Sequence, residues 1–222
     1  MIAASPLTLF LDFAVSVPQK SIDVSLSGPI ISDIIESVRV IGGTYRGRKL
    51  RTVDGLDVRP TSDRLRETLF NILAPRVRGS RFLDVCAGSG AIAMEAISRG
   101  AQQVKLIDSS RRACAVIEAN LRALGVEDRA AIINRDAAAA LKQLAKEGEE
   151  FDIVFFDPPY ASGIYDQVMR LLDEQPLLSA DAIVIAEHRA KTPPGTQYGR
   201  LRRYREVKQG ESALAFYARG DD

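Results

Sequence analysis

Phe82-Leu83-Asp84-Val85-Cys86-Ala87-Gly88-Ser89-Gly90-Ala91-Ile92-Ala93 opens as a short apolar run fit for a buried strand, passes through two glycines, and continues in small apolar residues suited to a helix. Glycines let a backbone approach a ligand closely, and the start of a helix offers free N–H groups and the positive end of its dipole. Gly88, Gly90 and Ala93 also fit the pattern G-x-G-x-x-A, with Asp108 at the end of the next apolar run, where a carboxylate holds ribose hydroxyls. That pattern alone fits a nicotinamide dinucleotide or S-adenosylmethionine equally. Asp84 separates them. A carboxylate just before the end of the first strand repels a pyrophosphate, whereas it suits a ligand that carries an ammonium and a sulfonium.

Outward from this stretch the pattern is regular. Apolar runs Phe82–Val85, Val104–Ile107, Ala131–Ile133, Ile153–Phe156 and Ile183–Ala186 alternate with helical stretches near Ala91–Arg99, Arg111–Leu124, Ala137–Lys146 and Tyr165–Asp173. That alternation predicts an α/β fold around a parallel sheet. Arg200–Val207 and Ala213–Tyr217 follow with too few residues between them for a helix, which predicts an antiparallel C-terminal hairpin. Asp136 follows the third run, where it either accepts from an adenine amine or caps a helix.

The second motif, Ile153-Val154-Phe155-Phe156-Asp157-Pro158-Pro159-Tyr160, sits where the fourth parallel strand ends. Ligands of open α/β sheets bind beyond strand C-termini, so both motifs are expected to face one crevice. Consecutive prolines remove donors and fix φ, which holds the carbonyls of Asp157 and Pro158 outward as acceptors. An amine on an aromatic base is a poor nucleophile because its lone pair is delocalised into the ring. Two acceptors, the Asp157 carboxylate and the Pro158 carbonyl, would bind its N–H groups and favour a pyramidal nitrogen, while Tyr160 would stack on the extruded base.

The third constellation is basic. Between Arg39 and Arg81 stand eleven Lys or Arg against four Asp or Glu, although the whole chain carries only +1, so the positive charge is local. Arg46, Arg48, Lys49, Arg59, Arg64 and Arg66 lie here, interleaved with glycine and Tyr45, as phosphate contact and base stacking require. Strands are expected at Val38–Ile41 and Arg48–Val53, and a helix from about Ser62 to Leu73, bounded by Pro60 and Pro75. This helix is placed to close over the cofactor.

At 222 residues, 46% hydrophobic and 27% charged, the chain suits one α/β domain with an extension and suggests neither disorder nor a membrane span. The apolar run Ile2–Val17 is interrupted by Asp12 and preceded by no Lys or Arg, so no secretory signal is expected. Residues 1–38 read as a tail, an added extension or translation from an upstream start. Two cysteines, Cys86 and Cys114, imply a reducing, cytoplasmic setting. With one histidine, His188, no histidine-based triad or two-histidine metal site is available.

The residues Ile41-Gly42-Gly43, Arg46-Gly47-Arg48-Lys49-Leu50, Arg59 to Asn71, Ala87-Gly88-Ser89-Gly90 and Asp157-Pro158-Pro159-Tyr160 together resemble the RsmD-type ribosomal RNA small-subunit (guanine-N2-)methyltransferases. The match spans about Arg39 to Ala218. It departs at the extension 1–38 and at Cys86, where a bulkier apolar residue is common. The resemblance implies a Rossmann-like, seven-stranded class I methyltransferase sheet over 81–220, mostly parallel with the antiparallel hairpin at its end, and a basic RNA-binding, cofactor-closing segment over 39–80. It implies methylation of the exocyclic N2 amine of one guanine in small-subunit ribosomal RNA, on an assembled or assembling 30S particle, by a monomer without metal. S-adenosylmethionine would be held by Asp84 (ammonium), Ala87, Gly88, Ser89 and Gly90 (methionine part), Asp108 and Ser109 (ribose), Asp136 and Ala137 (adenine) and Thr61. Asp157, Pro158, Pro159 and Tyr160 would hold the guanine, and Arg46, Arg48, Lys49, Arg59, Arg64 and Arg66 the RNA. Glu187 and His188 are weaker candidates, ordinary surface polarity being the plainer reading.

Three rival functions share parts of this sequence. A DNA adenine methyltransferase uses the same catalytic tetrapeptide but needs a recognition domain for which the chain lacks room. A nicotinamide-dependent oxidoreductase would use the Gly88 turn, yet no hydride-transfer site is visible. A ribosome-assembly protein would keep only the basic arm.

Overall fold

The computed structural model describes residues 34–53, 62–158 and 163–220. Arg59, Thr61, Pro159, Tyr160 and most of the segment 1–38 lie outside the described residues. In chain order the elements are β1 (Ile34–Arg39), β2 (Lys49–Val53), α1 (Asp63–Val77), β3 (Arg81–Val85), α2 (Ala91–Ser98), β4 (Gln103–Asp108), α3 (Arg111–Leu124), β5 (Ala130–Asn134), α4 (Ala137–Lys146), β6 (Phe151–Phe156), α5 (Tyr165–Glu174), β7 (Leu178–Arg189), β8 (Gln197–Tyr198), β9 (Leu201–Gln209) and β10 (Ser212–Arg219).

The main sheet has the order β5-β4-β3-β6-β7-β10-β9-β8, and β1 pairs with β2 separately. Pairing is parallel from β5 to β7 and antiparallel beyond it. The chain thus builds the seven expected strands, and the two-residue β8 adds an eighth at the β9 edge. Because the order runs β3-β4-β5 one way and β6 the other, the direction reverses between β3 and β6, which opens a crevice at their carboxyl ends. Val85 pairs with Phe156 there, so the two sequence motifs leave adjacent strands side by side.

Both faces of the sheet are covered, which is why its central strands read as continuous apolar runs rather than alternating ones. Phe82, Phe155, Ile185 and Phe216 pack on one face with residues of α1, α2 and α3; Leu83, Val154, Phe156 and Val184 pack on the other with residues of α4 and α5. The helix starts follow local chemistry. Ser62, Ser110 and Asp136 each accept a backbone N–H from the first turn of α1, α3 and α4.

Two of the expected boundaries shift for a local chemical reason. Helix α1 runs through Pro75 to Val77. Pro75 and Asn71, whose carbonyl loses its donor, both lie on the exposed face where water replaces the bond, while Leu73 and Val77 are buried and Ser80 closes on the Val77 carbonyl at 2.8 Å. The first strand, expected at Val38–Ile41, ends at Arg39 because Ile41 and Gly42 turn their N–H groups to Glu95 of α2.

Candidate active site

The turn after β3 is built from left-handed backbone: Cys86, Gly88 and Gly90 have φ of 64, 57 and 76°. For Cys86 this conformation costs roughly 1 kcal/mol, an expense tolerated where the neighbouring bonds fix the chain. They do so here. Ala87 N–H donates to the Ile107 carbonyl (3.0 Å) and Gly90 N–H to the Ala87 carbonyl (2.8 Å). The two glycines serve different ends. A Cβ on Gly90 would press on Ile117, Leu106 and Met94 at 3.2–3.3 Å, whereas one on Gly88 would meet open space. Gly90 therefore permits packing of turn against helix, and Gly88 leaves the crevice floor bare.

Asp108 locks this turn. Its carboxylate accepts from Gly88 N–H and from Ser110 N–H, each at 2.8 Å, so it ties the turn to the start of α3 while remaining half exposed. Asp84 is buried beneath the turn and accepts from Ala93 N–H at 3.2 Å. Burial first, and the charge of Asp108 second, raise its pKa to about 7 against that hydrogen bond. Asp136 is exposed and caps α4 through Ala139 N–H at 3.1 Å; Ser109 is exposed, and Ala137 is buried in the first turn of α4.

The proline corner lies beside the turn. Asp157 N–H donates to the Val85 carbonyl at 3.3 Å, and Pro158 is buried. Burial, then the charges of Glu187 and Asp84, lift the Asp157 carboxyl well above the ordinary carboxylate range. Cys86 reports on the whole ring. Burial and, in decreasing order, the charges of Asp108, Asp157, Asp84 and Asp136 push its thiol up to about 12. The acids singled out in the sequence thus lie at or just beyond the carboxyl ends of β3, β4, β5 and β6, the edge where ligands of open α/β sheets bind, and all four bear on Cys86. Among the described residues no group of three His, Cys, Asp or Glu could hold a metal ion, and no helix is long and apolar enough to cross a membrane.

The basic segment is docked onto this framework by side chains that the sequence did not mark. Glu95, fully buried, accepts from Ile41 and Gly42 N–H at 2.7 and 2.8 Å; Ser98 accepts from Tyr45 N–H at 2.9 Å. Gly43, at φ 76°, lies so close to the Ser98 carbonyl that no Cβ could stand there. Asn120 exchanges hydrogen bonds with Arg51 of β2 and donates to the Ser89 carbonyl at 3.0 Å, which joins the hairpin to the glycine turn itself. Glu95 and Ser98 are the only polar residues of α2. That isolation in an apolar helix was the signal available.

Arg46, Arg48, Lys49 and Arg64 are exposed, and Arg48 also donates to the Ala123 carbonyl at 2.8 Å. Arg66 is a correction: its guanidinium is buried, donates to the Arg39 carbonyl at 2.7 Å and meets Asp63 at 2.8 Å. The guanidinium is directed into the fold, at the Arg39 carbonyl and Asp63, rather than outward where an RNA phosphate would lie. Glu187 and His188 are corrected too, since both are buried rather than surface polarity. His188 faces Glu206 of β9 at 3.4 Å; Glu187 stands beside Asp157.

Comparison with known proteins agrees with this geometry. Residues 38–218 match the family model described as "Conserved hypothetical protein 95". Ribosomal RNA small subunit methyltransferase D of Escherichia coli (strain K12) is 37% identical over 82% of this chain and 90% of its own. YlbH of Bacillus subtilis (strain 168) is 34% identical over 81% of this chain and 98% of its own. The solved structure of Escherichia coli yhhF is 38% identical with a TM-score of 0.73, covering 82% and 97% of the two chains. The seven-stranded α/β core, the acid-ringed glycine turn and this matched span together show that the chain belongs to the ribosomal RNA small subunit methyltransferase D family.

Proposed function

We propose that this protein transfers a methyl group from S-adenosylmethionine to the exocyclic N2 amine of one guanine in small-subunit ribosomal RNA, acting as a cytoplasmic monomer on an assembled or assembling 30S particle. The observation that carries the reading is the convergence of Asp84, Asp108, Asp136 and Asp157 around the Cys86 turn, next to a proline-stiffened corner. The residues fit the cofactor. Gly88 leaves open space at the turn, the buried Asp84 carboxyl suits an ammonium group, Asp108 stands ready for ribose hydroxyls, and Asp136 with Ala137 lies at the adenine end. Once bound, the cofactor supplies an electrophilic methyl group on a positively charged sulfur.

The chain's own residues do the rest. The Asp157 carboxylate and the Pro158 carbonyl accept the two N–H groups of the target amine, which localises its lone pair and aims it. Receiving the methyl group that the cofactor would supply leaves positive charge on that nitrogen. The Asp157 carboxylate, whose proton affinity is raised by burial and then by Glu187 and Asp84, stabilises that charge and accepts the proton that nitrogen sheds. Arg46, Arg48, Lys49 and Arg64, on a hairpin and helix fixed to the same framework, supply phosphate contacts. Arg59 and Thr61 belong to the same proposal for RNA and cofactor respectively, and Pro159 and Tyr160 to the proposal for the base.

The test is transfer of labelled methyl groups to small ribosomal subunits that lack the modification, followed by digestion to nucleosides. N2-methylguanosine is the expected product. Label in N6-methyladenosine, or none under any ionic condition, overturns the reading.

A further inference from the structure

The end of β7 presents a buried carboxylate to the same corner. Phe156 of β6 pairs with Ala186 of β7, so the next residues along the two parallel strands are Asp157 and Glu187. Glu187 is buried, and its backbone carbonyl accepts the Tyr165 hydroxyl at 2.6 Å. Tyr165 in turn packs edge-on to Phe156 at 5.4 Å between ring centroids, so the first turn of α5 clamps the strand end in place. Phe155 and Ile185, two residues before Asp157 and Glu187, belong to the same face of the sheet, and Asp84 of β3 is two residues beyond Phe82 on that face. A strand repeats its side-chain direction every second residue. Asp84 and Glu187 therefore point to one face of the sheet, and Asp157, one residue past the end of β6, stands between them in strand order and within reach of both charges.

Asp84 and Asp157 have assigned partners in the proposed reaction. In strand order Glu187 lies on the side of Asp157 away from Asp84. Its chemistry discriminates among bases. In guanine the exocyclic amine is flanked by a ring N–H at position 1, a donor beside a donor. In adenine and cytosine the ring nitrogen next to the amine is an acceptor. A carboxylate is an acceptor with no proton to give, so one placed next to the amine-binding acceptor rewards guanine and repels the other two. A flipped or unpaired base is read in this way, on its Watson–Crick edge.

We infer that Glu187 is the specificity-determining residue of this site, its carboxylate accepting the N1–H of the target guanine while Asp157 and Pro158 hold the N2 amine. The inference rests on the proposed guanine reaction and adds the residue that selects the base. It also gives the adjacent acids Asp157 and Glu187 a joint role, since both find donors on one edge of one base.

The experiment compares guanine with 2-aminopurine at the target position of small ribosomal subunits reconstituted with ligated RNA. 2-Aminopurine keeps the amine at position 2 but lacks the N1 hydrogen. Wild-type protein is expected to prefer guanine in kcat/KM by about ten- to a hundredfold, the range of a hydrogen bond to a charged group. Glu187→Gln, whose amide can donate to the bare N1, is expected to bring that ratio within a few fold of one, with cofactor affinity by calorimetry unchanged. The loss of guanine's O6 is common to both proteins and cancels in the comparison. An unchanged ratio in Glu187→Gln overturns the inference while leaving guanine methylation standing. Should Glu187→Gln fail to bind cofactor, the wild type decides with 6-thioguanine, which keeps N1–H and the 2-amine but replaces O6: 6-thioguanine methylated like guanine while 2-aminopurine is not supports the inference, and equal rates on guanine and 2-aminopurine, or equal losses on 6-thioguanine and 2-aminopurine, overturn it. Absence of any transfer to guanine by the wild type overturns both readings.

Discussion

The two sides of the crevice are stabilised in opposite ways. On the β3–β4 side the acid Asp108 is answered by backbone: each of its bonds to Gly88 and Ser110 measures 2.8 Å, and they hold the turn whether or not anything is bound. On the β6–β7 side Asp157 has Glu187 and Asp84 for neighbours and is raised well above its ordinary range by burial and by those charges. A framework acid and a reactive acid can thus be told apart by what surrounds them. The first accepts hydrogen bonds from two backbone N–H groups; the second is raised by burial and then by Glu187 and Asp84, as suits its proposed role toward a substrate that brings donors.

The sharpest way to break this contrast is to remove each acid. Asp157→Ala is expected to cut single-turnover methyl transfer by about a thousandfold or more while cofactor affinity stays within a few fold. Asp108→Ala is expected to lower cofactor affinity and folding stability together, because two backbone N–H groups lose a charged acceptor worth about 1.5–3 kcal/mol each. Calorimetry, urea unfolding and label transfer on the same preparations measure all three quantities. Equal loss of cofactor binding in both variants would erase the distinction.

A second test uses pH. Asp84 has a pKa of about 7 in the folded protein against 3.8 unfolded, so the fold holds its proton longer than the unfolded chain does. Such a group imposes no penalty below pH 3.8, a growing one between 3.8 and 7, and a constant one above. Asp84→Asn is therefore expected to stabilise the cofactor-free protein, by an amount that rises from nothing near pH 4 to at most about 4 kcal/mol near pH 7 and then levels off. The same change should weaken cofactor binding if Asp84 receives its ammonium. A stability difference that is flat with pH would show that Asp84 is ionised throughout.

How far the sequence revealed this arrangement depends on whether a residue's role is local. The central strands and helices were readable because each announces itself within a dozen residues; α3 and α4 fall at Arg111–Leu124 and Ala137–Lys146 as their periodicity predicts. The four aspartates were readable because each lies at a strand end or within two residues of one. Glu95, Ser98 and Asn120 were not, since their partners Ile41, Tyr45 and Arg51 lie more than fifty residues away and no local pattern records such a pairing. Arg66 was misread for a related reason. A basic residue in a basic segment suggests a solvated or RNA-facing charge, and only the return of β1 against α1 places the Arg39 carbonyl over it. Glu187 followed the same course, its burial depending on the antiparallel pairing that extends β7 beyond the expected Ala186 to Arg189.

That correction yields a third test of the contrast between framework and reactive groups, now among cations. Arg66→Ala is expected to destabilise the fold by about 2–4 kcal/mol, because the Arg39 carbonyl and Asp63 lose a buried partner. The double change Arg46→Ala with Lys49→Ala is expected to alter stability by less than about 0.5 kcal/mol, as exposed positions do. It should instead weaken subunit binding and reduce the slope of log affinity against log salt by about 1 per residue removed. Salt slopes from filter binding separate the two classes.

The smallest effect concerns Asp136, where both roles meet in one residue. As a helix cap it accepts Ala139 N–H at 3.1 Å, and Asp136→Ala is expected to cost about 1 kcal/mol in urea unfolding. Asp136→Asn keeps an N-capping oxygen and should recover most of that stability, yet it discards the charge. Its side chain is exposed, so a carboxylate oxygen remains free to accept from an adenine amine while the cap bond persists. Cofactor affinity then decides what stability cannot. A cap alone predicts that Asn restores binding as fully as it restores the fold; a carboxylate that also receives the adenine amine leaves Asn several-fold weaker in calorimetry although its unfolding midpoint is normal. The second outcome would place Asp136 with Asp157 among the acids that work by charge, and the first would place it with Asp108 among those that hold the backbone.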